Sequence, residues 1–103
     1  MDPIRSVFED DPDMIDIVRE FVAGFPERMT TLEESLAKSD LAQLQSLAHQ
    51  LKGAGGGYGF MQITEAAALV EAAAKDGSDL PMIKEKLGQL FEILRAVVVP
   101  EES

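Results

Sequence analysis

The sequence contains no cysteine. That excludes a disulfide framework, thiolate zinc sites and cysteine nucleophiles, so the fold must stand on packing, and it is compatible with a reducing compartment. Histidine occurs once, too seldom for a zinc site built on imidazoles. Basic residues are scarce: 9 Lys and Arg against 19 Asp and Glu give a formal net charge of -10. Such a surface repels phosphate polymers and anionic lipid, which argues against nucleic acid and membrane as partners. No uninterrupted apolar stretch approaches the ~20 residues of a membrane span. The opening MDPIRSVFEDD lacks the basic region and apolar run of a secretory leader. The expectation is a soluble, cytoplasmic protein.

What is present is a 46% hydrophobic content in 103 residues, enough for one domain, 1–103, with a single modest core. Apolar residues recur at three- and four-residue spacing rather than in strict alternation, which predicts an all-α fold. Pro and Gly divide the chain into helices at about 11–24, 26–38, 40–56, 60–76 and 79–98. Asp11 and Pro12 read as the start of the first, and Asp40 with Gln43 as a capping box for the third. Asp76-Gly77 ends the fourth helix and Ser78-Asp79 with Pro81 starts the fifth. Val97-Val98-Val99 is read as the inward end of the fifth helix, stopped by Pro100, with 100–103 a frayed tail. Short connections favour antiparallel neighbours, hence an up-and-down four-helix bundle with an additional short N-terminal helix.

The stretch AHQLKGAGGGYGF, residues 48–60, holds the lone histidine and five of the eight glycines. A dinucleotide or phosphate loop fails on spacing, because Gly53-Ala54-Gly55 is followed by Tyr58 at the last motif position and no strand precedes it. A hydrolase has a geometrically possible Ser46–His49 pair but no evident oxyanion hole. On a helical wheel with Leu44, Leu47, Ala48, Leu51 and Gly55 inward, His49 faces solvent, with Gln45 one turn before it and Lys52, Gly53 and Gly56 one turn after. If the helix continues through Gly53, Gly55, Gly56 and Gly57, the glycines penalise it by roughly 3 to 4 kcal/mol relative to alanine. Either something offsets that penalty or the helix ends there.

His49-Gln50-Leu51-Lys52-Gly53, followed by Tyr58-Gly59, resembles the H-x-L-K-G-x-x-x-x-L-G signature of histidine-containing phosphotransfer (HPt) domains of two-component phosphorelays. The likeness extends along most of the chain, through the acidic first helix, the Phe-Pro-Glu-Arg start of the second and the Ser-Asp-Leu turn before the third. Tyr58 stands where the family usually has an aliphatic residue, and its hydroxyl can sit at the rim of a bundle.

The resemblance implies that His49 accepts a phosphoryl group from a receiver-domain phospho-aspartate and donates it to another receiver aspartate. It implies an orienting Glu71 on the fourth helix, cationic help from Lys52 and Lys75, and a docking face formed by Gln45, Gly53 and Gly56. The competing reading of Glu71 is a surface i,i+4 pair with Lys75. Partners would be response-regulator receiver domains or a hybrid histidine kinase, with the chain acting as a monomer. It would bind no cofactor of its own, magnesium sitting on the receiver, and it would be a phosphotransfer intermediate without an ATP-binding or kinase domain. Two alternatives stay open: the phospho-accepting module of a chemotaxis-type histidine kinase, and a non-phosphorylated helical adaptor.

Overall fold

In a computed structural model that describes residues 1–100, five helices follow one another: α1 (Ile15–Ala23), α2 (Phe25–Ala37), α3 (Leu41–Gly57), α4 (Met61–Lys75) and α5 (Leu80–Ala96). The chain is all-helical; among the described residues the sole β feature is one isolated parallel bridge between Ile4 and Val97. Side chains set several of the helix starts. Asp40 accepts a hydrogen bond from the Gln43 amide at 3.0 Å, and Asp79 accepts one from the Met82 amide at 3.0 Å. Each satisfies a donor that the first turn of a helix leaves without an internal partner.

Glycine sets two of the ends. Gly59 has φ +87° and Gly77 φ +68°, the left-handed conformation that lets a chain leave a helix. The Phe60 amide then reaches back to the Gly55 carbonyl at 2.8 Å, and the Ser78 amide to the Ala73 carbonyl at 3.1 Å. These six-residue closures satisfy carbonyls that a helix end would otherwise leave bare.

The core runs between the helices and is built from Val18, Phe21, Leu32, Leu44, Leu51, Phe60, Ile63, Val70, Ile83 and Leu90, with Ala48, Ala67 and Ala74 where backbones approach. The most extensive pairing is α3 against α4, followed by α4 against α5. Alanine on the facing side of α4 permits that approach. A Cβ on the buried Gly55 would lie 2.8 Å from Thr64 Oγ1 and 2.9 Å from the Thr64 amide nitrogen, so only glycine lets α3 come this near.

The structure departs from the sequence reading in three places. The first helix begins at Ile15 rather than at 11; the Asp11 carboxylate instead accepts from the Asp13 amide at 2.8 Å in a turn that precedes it. The third helix, whose end the sequence left open, passes through Gly55 and Gly56 to Gly57, with Tyr58 as its C-cap. The fifth stops at Ala96, short of 98. Val97 is extended, and the Ile4 amide bonds to the Ala96 carbonyl while the Val98 amide bonds to the Ile4 carbonyl, both at 2.9 Å. Of the tail read as frayed, Pro100 accepts from Arg19 Nε at 2.8 Å, and 101–103 lie outside the described residues.

Candidate functional site

His49 sits mid-way along α3 on its outer face, with a side chain 68% exposed. The register puts Leu44, Ala48, Leu51 and Gly55 into the core, which turns the residue after Ala48 outward. Glu71 projects from α4 toward it, and its carboxylate lies 2.5 Å from the imidazole through Oε2 and Nδ1. The other carboxylate oxygen, Oε1, accepts from Lys52 Nζ at 2.6 Å. One carboxylate thus joins the two polar side chains of adjacent turns on α3.

The electrostatics of this triad follow from that geometry. The Glu71 carboxyl is held below the usual carboxylate range, chiefly by the Lys52 hydrogen bond. Partial burial opposes the shift, while the His49 hydrogen bond and the Lys52 charge add to it, as does the imidazole in its protonated form. An ionised carboxylate can only accept hydrogen bonds, so Nδ1 carries the ring proton and points it at Glu71. Nε2 is then the unprotonated nitrogen of the neutral ring. Among the described residues Nε2 has no hydrogen-bond partner.

Around the ring lies a shallow depression lined by Ala42, Gln45, Ser46, His49 and Glu71. Gln45 therefore shares the face of His49, as the wheel places it. Among the described residues Ser46 makes no hydrogen bond to His49, so no serine–histidine pair forms. Gly53 is exposed, with open space where a Cβ would be. Gly56, expected beside it on the exposed flank, turns toward α4 instead: its amide donates to Thr64 Oγ1 at 2.8 Å. Lys75 is exposed at the end of α4, and among the described residues it forms no ion pair with Glu71, whose oxygens are taken by His49 and Lys52.

Thr64 was not singled out by the sequence reading. Its hydroxyl accepts from Gly56 and donates to the Lys52 carbonyl at 2.7 Å, spanning α3 and α4 two turns from Glu71. The spacing of seven between Thr64 and Glu71, two turns on one helical face, is the signal that points to it. Tyr58 stacks on Phe21 with ring centroids 4.4 Å apart, and Arg28 lies over the Phe21 ring. The aromatic at the signature's aliphatic position thus packs between α1 and the end of α3.

Comparison with known proteins gives one positive result. The family model described as the Hpt domain matches residues 16–97, which contain the whole α1–α5 region up to Val97 apart from Ile15. No curated protein and no solved structure matches. No helix among the described residues is long and apolar enough to cross a membrane.

Proposed function

The chain belongs to the Hpt domain family of two-component phosphorelay signalling, and on that premise we propose that it carries a phosphoryl group on His49 Nε2 between receiver domains. The observation that carries this reading is the Glu71 carboxylate on Nδ1 of an otherwise open, exposed ring. The lone pair of Nε2 attacks the phosphorus of a receiver's aspartyl phosphate. The N–P bond forms as the P–O bond to the aspartyl carboxyl breaks, and the receiver leaves with its carboxylate. The proton stays on Nδ1, so the ring becomes a cation facing an anion, which stabilises it as charge develops. Reversal of the same steps delivers the group to the next receiver aspartate.

Lys52 holds Glu71 in its ionised, accepting form and brings positive charge within one turn of His49 on α3. Lys75 adds a second cation near the same face. Helix α3 carries no Asp or Glu, so in this acidic protein the one carboxylate lining the depression around His49 is Glu71, and Lys52 is bonded to it. Gln45 and Gly53 supply docking surface on that face, Gly53 by clearance; Gly56 contributes through the approach of α4. The magnesium required for transfer is the receiver's. The helices are read as an antiparallel up-and-down bundle with α1 as the additional N-terminal helix, in a single domain acting as a cytoplasmic monomer.

A second reading is favoured by one observation. A glutamate rather than a neutral amide on Nδ1 raises the nucleophilicity of Nε2 toward any phosphoryl donor, including ATP bound to the catalytic domain of a chemotaxis-type kinase. Incubation with a labelled phospho-receiver, and separately with such a kinase and labelled ATP, distinguishes the two. The relay reading predicts rapid uptake from the receiver, abolished in His49→Gln. Uptake from the kinase alone selects the second reading, and label retained by His49→Gln contradicts both.

A further inference from the structure

The Thr64 hydroxyl occupies an unusual place. The Lys52 carbonyl and the Gly56 amide are the acceptor and donor that an α-helix joins directly, four residues apart. Thr64, from the first turn of α4, donates to that carbonyl at 2.7 Å and accepts from that amide at 2.8 Å. It therefore grips one backbone turn of α3 by both of its polar groups. The grip depends on Gly55, where any Cβ would lie 2.8 Å from Thr64 Oγ1 and 3.0 Å from Ile63 Cβ.

The gripped turn begins at Lys52, and Lys52 with His49 forms the pair that Glu71 spans. Glu71 lies two turns beyond Thr64 on the same face of α4. A carboxylate reaches both a ring nitrogen and an ammonium only when the two helices keep one axial register. Alanines fill much of the α3-facing side of α4 between Thr64 and Glu71, and they can slide without losing a directional contact. The paired hydrogen bonds of Thr64 are directional, and they fix that register.

We infer that Thr64 is a positioning residue for phosphoryl transfer, setting the register of α4 on α3 so that the Glu71 carboxylate fixes the His49 tautomer. This rests on the phosphoryl-carrier reading of His49. The residue acts through Glu71 and touches no reacting atom.

The test compares Thr64→Val and Thr64→Ala, which lack the hydroxyl, with Thr64→Ser, which keeps it. Two quantities are read in the full chain with its fold checked by circular dichroism: single-turnover uptake from a saturating labelled phospho-receiver, and the ring-nitrogen NMR spectrum of unphosphorylated His49. Loss of the hydroxyl should slow uptake by about tenfold, as for other residues that orient a reacting group through one intermediary. The half-saturating receiver concentration should stay unchanged, the His49 spectrum should move from one tautomer toward a mixture, and Thr64→Ser should restore both readouts. Folded Thr64→Val or Thr64→Ala protein with wild-type uptake and a wild-type ring spectrum overturns the inference. If Thr64→Val does not fold, the alanine and serine variants decide. Absence of uptake by the wild type sinks the carrier reading instead, and the ring spectrum still decides the role of Thr64.

Discussion

Both oxygens of Glu71 are committed, Oε2 to His49 and Oε1 to Lys52, on a side chain only 17% exposed. A glutamine at this position has one accepting oxygen and one donating nitrogen, so it cannot accept from both partners. Glu71→Gln should keep the His49 hydrogen bond and lose the Lys52 one. Uptake should slow less than in Glu71→Ala, for which about 10- to 100-fold is expected. The order of the three rates in a single-turnover assay checks this, and equal rates for Gln and Ala would refute it. The pH dependence has a definite sign. The folded Glu71 carboxyl is shifted down, so its ionisation stabilises the fold above the unfolded carboxylate range, and that contribution fades as pH falls through the depressed folded value. The Glu71 contribution to the stability difference between wild type and Glu71→Gln, read by urea unfolding, should be lost as the pH falls through the carboxylate range.

Along α3, the glycines that look alike in the sequence have different surroundings. Gly53 and Gly57 have open space at the Cβ position, while Gly55 is in contact with α4. Gly53→Ala should therefore stabilise the protein by about 0.5 to 1 kcal/mol by helix propensity alone. Gly55→Ala should destabilise it by about 1 to 3 kcal/mol, because overpacking against Thr64 and Ile63 outweighs propensity. Urea midpoints report both. A Gly53→Ala protein that is more stable yet slower with a receiver would locate the docking clearance at that residue. The sequence made the outward position of His49 legible, because the apolar residues around it repeat at helical spacing and leave one side for it. It did not settle whether the helix survives the glycines. Local propensity argues for a stop, whereas the offsetting contacts come from Thr64 and from Gly59, a left-handed residue that caps the helix two positions later.

At the scale of the molecule, the least legible feature is the N-terminal segment. Ile4 is buried and pairs with Val97, and the Ser6 hydroxyl donates to the Tyr58 carbonyl at 2.7 Å while the Val7 amide bonds to the Gly59 carbonyl at 3.1 Å. These contacts join residues far apart in the chain and leave no local periodicity to read, so Val97-Val98-Val99 looks like a helix end until its partner is seen. Ile4→Ala should lower unfolding stability by about 2 to 4 kcal/mol in urea, with transfer by the folded fraction unchanged. A change in stability within error of zero would mean that the N-terminal segment is not part of the cooperative fold. The central claim is that His49 is phosphorylated at Nε2 while Nδ1 keeps its proton toward Glu71. Phosphorus and nitrogen NMR of the protein phosphorylated by a receiver, with labelled imidazole nitrogens, measures this directly. The account predicts a single acid-labile, base-stable resonance coupled to Nε2 and absent from His49→Gln. Coupling to Nδ1, or label surviving in His49→Gln, would contradict it.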